Sequence, residues 1–392
     1  MHLRYKWITM IRYTGIIIVT GGFIFMANKK PASKKRKVRE KFTYTPEQKM
    51  EMTRIRRKWH WGTIKHFFLV VFTLVLSAAL LLLMLSYQIF VGPSRAGSDL
   101  LIQTLMESSA MKFYPYLFLR EEQVEAALER NRVISSDEAT DTSLITVKAR
   151  NSMTDLDQVS DEPAKDIEIV EITGSTYKGY MMIVLDPSRV SVGVCRYPFK
   201  NDLEGLKVSE IIEKYDGIAG INGGGFSDGG GRGNGGQPIG MVYSQGEQLK
   251  RADNGYKTVV GFDKNDILHV GEFSDAKAKE IGLRDAVAFG PALVINGQPS
   301  VVSGKGSGLN PRSAIGQRAD GAVLLLCIDG RQANSLGASY EDLIEIMLEF
   351  GAVNACNLDG GSSTAMFYNG EQINDGLAIS GSRALPTAWI VK

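Results

Sequence analysis

The sequence predicts an α+β protein: a mixed β-sheet core with flanking helices, preceded by an N-terminal transmembrane helix and a helical stalk. Three observations lead to this fold class. An apolar run without charged residues extends from Phe67 to Tyr87. Short runs rich in β-branched residues, separated by Gly, Asn and Asp turns, recur after residue 166 and predict strands. A segment of helical periodicity, Tyr340 to Phe350, lies between two of those strands.

The first 91 residues combine positive charge with a membrane span. From Ala27 to His66 there are 14 Lys or Arg and three Glu. We interpret residues 1–66 as a basic cytoplasmic segment and 67–91 as a transmembrane helix, because basic residues stay on the cytoplasmic side. Beside a span, such a basic stretch serves topology and attraction to anionic lipid, so we expect no nucleic-acid partner. The prediction is a single-pass protein of the cell membrane with the remainder extracytoplasmic.

Two alternatives concern this N-terminal region. A shorter apolar run over residues 14–27 is either a second span, which would form a hairpin, or an extension upstream of an internal start. A cleaved signal peptide also competes with the span at 67–91, but the run is too long and too far from the N-terminus for one.

After the span the sequence predicts three segments. Residues 98–133 have helix-like spacing of leucines and are interpreted as a helical stalk, with a second helix beginning near Arg120. Residues 134–165 are rich in Ser, Asp and Thr and are interpreted as a linker. The globular domain is predicted over 166–392.

Histidine and cysteine are too few for several kinds of catalysis. Apart from His269, every histidine lies before or at the span. This leaves no Ser-His-Asp set, no Cys-His pair and no histidine cluster for zinc. The three cysteines cannot all pair, and Cys327 and Cys356 are most simply buried fillers of strands. Any catalysis must therefore rest on carboxylates, arginines, hydroxyls and backbone amides.

The region from Asn310 to Met366 carries paired acidic residues. Two apolar runs, separated by the helical segment, each end in Asp-Gly, at Asp329 and at Asp359. A strand, helix and strand in this order predict parallel strands whose carboxyl ends bind ligands. If the strands are neighbours, roughly 4.8 Å apart, both carboxylates share one crevice. The alternative is that each Asp-Gly only begins a turn.

A glycine-rich loop follows a strand that ends in Asn222. Ten glycines occur among the 18 residues from Gly223 to Gly240. Backbone amides in such loops can cradle an anion. No Walker pattern or dinucleotide fingerprint is present, so a flexible surface loop is the competing interpretation.

Five motifs in fixed order resemble the phosphodiester glycosidase family, which includes the lysosomal enzyme that removes N-acetylglucosamine from a mannose-phosphate diester. The resemblance covers roughly residue 166 to the C-terminus, and the helical region resembles that of bacterial membrane-anchored members, which are often described as exopolysaccharide biosynthesis proteins. In the first motif the aromatic residue follows three glycines, whereas family members more often have two. The motifs are Asn222-Gly-Gly-Gly-Phe226, Phe289-Gly-Pro291, Asn310-Pro-Arg312-Ser-Ala-Ile-Gly316, Asp329-Gly-Arg331 and Asn357-Leu-Asp-Gly-Gly-Ser-Ser-Thr364.

The resemblance implies hydrolysis of the bond between a sugar C1 and a phosphodiester oxygen in a cell-surface glycan or polymer. We expect Asp359 to meet the developing oxocarbenium ion as nucleophile or stabiliser, with Asp329 as base or orienter; adjacent strand ends would favour retention. Arg312 and Arg331 are expected to bind the phosphate, and ion pairs to the aspartates are their alternative role. The other expected substrate contacts come from Asn222, Gly224, Gly360, Gly361, Ser362 and Ser363.

Metal dependence and two other functions stay open. We expect no cofactor, although acidic turns could hold a structural Ca²⁺ through oxygen ligands. One alternative function is a non-catalytic module for anionic glycan binding or for envelope and exopolysaccharide assembly. The other is a phosphoesterase that breaks the P–O bond.

Overall fold

The computed structural model describes residues 44–108, 110–136, 138–147, 166–229, 233–255, 257–376 and 383–392. The chain divides into two units, Met1–Val75 and Leu76–Lys392. The apolar run at 14–27, the basic residues before 44 and the later half of the predicted linker lie outside the described residues.

Helix α1, Pro46–Val91, contains the predicted span but begins about 20 residues earlier. Part of the basic segment is therefore helical. Within the described chain, α1 is the helix that is long and apolar enough to cross a membrane, with a mean hydropathy of 2.9 over its best window. Because nearly all of its apolar side chains are exposed, the helix lacks the protein contacts that would bury a core helix.

Two short helices follow and pack on each other; we call residues 95–130 the helical pair. Helix α2 is Arg95–Met106 and α3 is Glu121–Arg130, with a 3₁₀ turn at Pro115–Leu117. Their core contains buried Phe90, Ile102, Val124 and Ala127. Arg130 closes the pair with a forked ion pair to Asp99, at 2.9 and 2.7 Å. The predicted second helix thus begins at Glu121, one residue after Arg120.

The first part of the segment predicted as a linker packs against the globular domain. Strand β1, Val133–Ile134, pairs antiparallel with β13, Val301–Val302. Asp141 N–H donates to Asn296 Oδ1 at 2.7 Å, and Thr146 N–H donates to the Ala319 carbonyl at 2.8 Å. Residues 133–147 therefore pack on the globular domain, and residues 148–165 lie outside the described part of the chain.

The domain consists of three larger antiparallel sheets and the small β1–β13 pair. The first sheet has the order β12-β11-β16-β14-β15-β3-β2, the second β18-β17-β5-β19-β4 and the third β7-β6-β10-β8-β9. The strands are β1 Val133–Ile134, β2 Ile167–Thr173, β3 Lys178–Val184, β4 Val190–Val194, β5 Ala219–Asn222, β6 Val242–Ser244, β7 Glu247–Lys250, β8 Thr258–Asp263, β9 Leu268–Glu272, β10 Leu283–Ala288, β11 Ala292–Ile295, β12 Gln298–Pro299, β13 Val301–Val302, β14 Arg312–Arg318, β15 Val323–Ile328, β16 Ala352–Leu358, β17 Met366–Tyr368, β18 Glu371–Gln372 and β19 Thr387–Val391.

The main core lies where the three sheets meet. Alternate residues of each strand point inward, and Trp389 packs edge-on against Phe262 with ring centroids 5.7 Å apart. Helix α4, Val208–Lys214, covers the outer face of the second sheet, and α5, Asp275–Ile281, packs on the third. Helix α6, Tyr340–Glu349, packs on the outer face of the first sheet. The α+β class is confirmed.

The strands that end at the two aspartates are not neighbours. Strands β15 and β16 both pair antiparallel with β14, which lies between them. They run parallel to each other, but two strand spacings, roughly 10 Å, separate their backbones. The two strands thus run parallel in one sheet, as the crossover predicts, but the condition that they be neighbours is not met, because β14 of the β14–β15 hairpin lies between them. The strand ends that carry the aspartates are therefore not adjacent and do not favour retention.

Candidate active site

Asp359 follows β16 and is held by its backbone. The side-chain amide of Asn222 donates to the Asp359 carbonyl at 2.6 Å, and Asp359 N–H donates to the Gly223 carbonyl at 3.3 Å. Asn222 ends β5 in the second sheet, whereas Asp359 follows the first. The carboxylate is therefore fixed at the junction of two sheets.

The Asp359 carboxyl group is in an environment that disfavours its charge. Burial raises its pKa to about 6, even though hydrogen bonds from Ser363 and the Gly360 amide, and the charge of Arg383, stabilise the ionised form. Its Oδ2 is buried and has no hydrogen-bond partner among the described residues. A raised pKa and an unused acceptor are both typical of a catalytic carboxylate.

Two more buried oxygens near Asp359 have no partner within the described chain. They are Asn357 Oδ1 and Thr364 Oγ1. Together with Asp359 Oδ2, they place three unsatisfied polar atoms within an eight-residue motif. Because buried polar atoms are normally paired, such a cluster favours a site that a polar ligand completes.

The turn after Asp359 is a 3₁₀ turn over Gly361–Ser363. Gly361 has a φ of +62°, and its N–H donates to the Pro311 carbonyl at 2.9 Å. The Gly361 amide is therefore occupied within the protein, unlike our expectation of a substrate contact. The Gly360 amide and the buried Ser363 hydroxyl hold the Asp359 carboxylate. Ser362 keeps a partly exposed side chain.

Arg331 lies against this turn. A methyl group on Gly361 would sit 3.4 Å from Arg331 Nη2. The guanidinium donates from Nη2 and Nε to Asn310 Oδ1, at 2.9 and 3.3 Å, and no carboxylate pairs with it among the described residues. Arg331 keeps an exposed surface, yet crowding by protein atoms, followed by the nearby charge of Arg312, lowers its pKa. A guanidinium without a counterion is suited to bind an anion.

Arg331 also adopts an uncommon backbone conformation. Its φ is +58°, in the left-handed region that a non-glycine residue enters at a cost of about 1 kcal/mol. The backbone N–H donates to the Leu336 carbonyl at 3.1 Å, which holds the turn. Strain of this kind often marks a functional position.

Arg383 is a cation of this site that the sequence reasoning missed. Its Nη1 lies 3.4 Å from Ser362 Oγ, and its Nη2 donates to the Asp228 carboxylate and to the Gly233 carbonyl. The guanidinium stacks 4.8 Å from the centre of the Phe226 ring. Arg383 therefore connects the glycine-rich loop to the turn after Asp359. It belongs to none of the five motifs, so no sequence signal indicated it.

Asp329 is buried, and its carboxylate accepts hydrogen bonds from a neighbouring loop, residues 374–376. Its carboxylate accepts from Asn374 Nδ2 at 3.0 Å and from the backbone amides of Asp375 and Gly376 at 3.2 and 3.3 Å. Burial raises its pKa, and these hydrogen bonds oppose that rise. Asn374 Nδ2 also lies 3.5 Å from the Thr364 carbonyl, which connects Asp329 to the segment after Asp359. This placement favours an orienting role over that of a base.

Arg312 is placed differently from our expectation. Its guanidinium is buried and donates to Glu107 at 2.6 Å and to Ser307 Oγ and the Gly308 carbonyl, both at 2.9 Å. It also stacks 4.2 Å from the centre of the Tyr340 ring. Neither aspartate is its partner. The ion pair joins the domain to the helical pair, so a structural role replaces the expected phosphate contact.

Asn222 and Gly224 are also structural in this geometry. Asn222 is fully buried, and its Oδ1 accepts from Ser313 Oγ at 2.6 Å and Ala365 N–H at 3.2 Å. The Gly224 N–H donates to Thr387 Oγ1 at 3.1 Å, and a methyl group on Gly224 would lie 2.8 Å from the Ala288 carbonyl. The Asn222 side chain and the Gly224 amide are therefore occupied within the protein, where they connect β5 and the residues after it to their surroundings.

Among the described residues, neither a metal cluster nor the cavity of the helical pair coincides with the predicted site. The described part of the chain contains no group of three or more His, Cys, Asp or Glu that could hold a metal. A cavity of about 440 Å³ lies in the helical pair, where Asp99 and Arg130 line it, and none of the predicted site residues does. The site at Asp359 is a polar junction and not an enclosed apolar pocket.

The fold and this site define an α+β domain in which two guanidinium groups contact a glycine- and serine-rich turn after a partly buried acid. Residues 215–392 match the model of the phosphodiester glycosidase family. This part of the chain is a member of that family. A curated relative, the uncharacterized SPbeta prophage-derived protein YomE of Bacillus subtilis, is 38% identical over 98 residues. The match covers 24% of this chain and spans only 15% of the relative's length.

Solved structures are similar at low identity. The catalytic domain of zebrafish N-acetylglucosamine-1-phosphodiester alpha-N-acetylglucosaminidase, auto-inhibited by its pro-peptide, is 21% identical with a TM-score of 0.49, over 59% of this chain and 84% of that one. A putative exported protein of Burkholderia pseudomallei is 17% identical with a TM-score of 0.42, over 55% of this chain and 74% of that one.

Proposed function

We propose that this protein hydrolyses glycosyl phosphodiesters at the bond between the sugar C1 and the phosphodiester oxygen. The observation that carries the proposal is the Asp359 carboxyl group, with its pKa of about 6 and its unpartnered Oδ2, followed by the Gly361 turn against which the exposed Arg331 lies. Membership of residues 215–392 in the phosphodiester glycosidase family supports the reaction class.

Each residue has a distinct role in this reaction. Asp359 in its ionised form faces C1, as nucleophile or as stabiliser of the oxocarbenium ion, while the C1–O bond breaks. The leaving group is a phosphate monoester that keeps the bridging oxygen as a stable anion, so neutralising its charge matters more than protonating it. Arg331 supplies the neutralising positive charge and binds the phosphate oxygens through its forked N–H groups. Arg383 and Ser362, which lie 3.4 Å apart at the same turn, contact the sugar or phosphate oxygens.

Hydrolysis in ¹⁸O-labelled water tests the bond that breaks. Under the proposal, a sugar-1-phosphodiester gives free sugar that carries the label at C1, with unlabelled phosphate monoester. Label in the phosphate would instead identify a phosphoesterase, with cleavage of P–O. If an Asp359→Asn variant retained both polymer binding and biological activity, the glycosidase proposal would fail and a glycan-binding or assembly module would remain.

We further propose that α1 anchors the protein in the cell membrane, with the domain outside the cytoplasm and a surface polymer as substrate. The hydropathy of α1 and the exposure of its apolar side chains support the anchor. The 14 basic residues between Ala27 and His66 support a cytoplasmic N-terminus. Protease added to sealed cells or spheroplasts should digest residues after Val91 and spare the N-terminal segment; the opposite pattern would overturn the orientation.

A further inference from the structure

We infer that Glu107, on the helical pair, is a positioning residue for the anion-binding Arg331, and that it acts through the side-chain amide of Asn310. This inference rests on the proposed function of Arg331. Glu107 follows α2, and its carboxylate crosses to the domain, where it accepts from both Asn310 Nδ2 and Arg312 Nη2 at 2.6 Å.

The Asn310 amide has two ends with different chemistry. Its Nδ2 donates to Glu107, and its Oδ1 accepts both hydrogen bonds from Arg331. A carboxylate can only accept, so Glu107 requires the NH₂ end of the amide to face it. The oxygen must then face Arg331. Without Glu107, the amide loses one of the two contacts that fix its position, and only the hydrogen bonds from Arg331 would hold it.

The surroundings hold the Asn310 side chain in place between Glu107 and Arg331. Asn310 is 2% exposed, and its backbone exchanges hydrogen bonds with Ala338 at 3.3 and 3.0 Å. The side chain therefore has few alternatives besides rotation of the amide. Glu107 also places a negative charge near both arginines: it forms an ion pair with Arg312, and its charge opposes the effect that the Arg312 charge has on the pKa of Arg331.

Residues outside the family match therefore contribute to the site. Glu107 lies 108 residues before Tyr215, where the match begins, and belongs to the helical pair. Further contacts dock this pair beside Asn310: Leu309 N–H donates to Thr104 Oγ1 at 3.1 Å, and Lys305 N–H lies 3.4 Å from Asn131 Oδ1. The helical pair is thus a part of the catalytic unit and not only a spacer from the membrane.

The test measures binding of inorganic phosphate to the full chain in detergent by titration calorimetry, with thermal unfolding recorded for every variant. We expect Glu107→Ala to weaken phosphate binding about tenfold. The substitution removes the hydrogen bond from Asn310 Nδ2 to Glu107, which holds the amide that orients Arg331. Glu107→Gln keeps an acceptor for Asn310 and should lose less. Glu129→Gln is the matched control, since Glu129 is exposed and pairs only with Arg132 among the described residues; it should bind as wild type does.

A double-mutant cycle separates positioning from general stability. In an Arg331→Gln background, Glu107→Ala should cause little additional loss of phosphate binding, because both changes act on the same contact. Equal losses in both backgrounds, tighter binding by Glu107→Ala, or a wild-type chain that binds no phosphate would each overturn the inference. Failure of the chain to release sugar from any phosphodiester would overturn the proposed function instead, while the phosphate titration would still decide the role of Glu107.

Discussion

The buried amide of Asn222 donates to the backbone carbonyl of Asp359 at 2.6 Å, across 137 residues of sequence. The same side chain accepts from Ser313 Oγ and Ala365 N–H, so every polar atom of the amide has a partner. Asn222 thus joins β5, β14 and the segment after β16 at the point where the acid is placed. The site depends on a junction of two sheets more than on a flexible loop.

Replacing this amide should disturb the acid without touching a substrate. We expect Asn222→Ala to destabilise the fold by about 2 kcal/mol, because it leaves the Asp359 carbonyl and the Ala365 amide unpaired in the interior. Activity should fall mainly through kcat, as the carboxylate loses its position. Urea unfolding and steady-state kinetics provide the measurements, and a variant with unchanged stability would show that water replaces the amide at no cost.

Asp359→Asn should abolish hydrolysis and stabilise the protein at high pH. The pKa of the carboxyl group rises from about 3.9 in the unfolded chain to about 6 in the folded protein. The folded state binds the proton more tightly, so the stability contributed by this group is present below about pH 4 and is lost as pH rises through 6. The variant should gain about 3 kcal/mol over wild type at pH 8 and little at pH 4. A gain that is independent of pH would contradict this account.

The pH dependence of the reaction should report the same group. If ionised Asp359 acts at C1, kcat/KM should rise tenfold per pH unit below about pH 6 and level off above it. The measurement is kcat/KM for a sugar-1-phosphodiester between pH 4 and pH 8. A rate that is highest at pH 4 would mean that the protonated acid is the active form and would assign Asp359 to general acid catalysis.

Arg331 and Arg312 should respond differently to mutation. Arg331→Lys keeps a positive charge but loses the fork, so we expect KM to rise about tenfold or more while the unfolding temperature changes little. Arg312→Met should destabilise the fold by about 3 kcal/mol, because it leaves Glu107 without its ion-pair partner. Kinetics and thermal unfolding of both variants separate the roles. A stable Arg312→Met protein with a raised KM would restore Arg312 to the phosphate.

Truncation should show where the folding unit begins. A fragment that starts at residue 166 lacks Glu107, β1 and the contacts of residues 133–147. We expect it to unfold at a lower temperature and to lose activity, whereas a fragment that starts at residue 92 keeps these contacts. Equal stability and activity of the two fragments would show that the helical pair and β1 add nothing to the domain.

The sequence by itself determined the features that are local in the chain. The charge-free run after Phe67, the capped helix Tyr340–Glu349 and the apolar strands each follow from spacing and composition. It also indicated Asp359 and the glycine–serine turn as candidate site residues, because an acid followed by glycines at the end of a strand can be recognised within a single short motif.

Only the tertiary structure decided which residues meet. Strand order placed β14 between the two aspartate-bearing strands, and no local pattern specifies that order, because it depends on contacts between segments that are far apart in sequence. Arg312 and Arg331 both lie in motifs that suggest phosphate binding. In the structure Arg312 is buried and forms an ion pair with Glu107, whereas Arg331 pairs with no carboxylate among the described residues. The sequence shows that a guanidinium group is present, but whether it is available to a ligand depends on long-range contacts that compete for it.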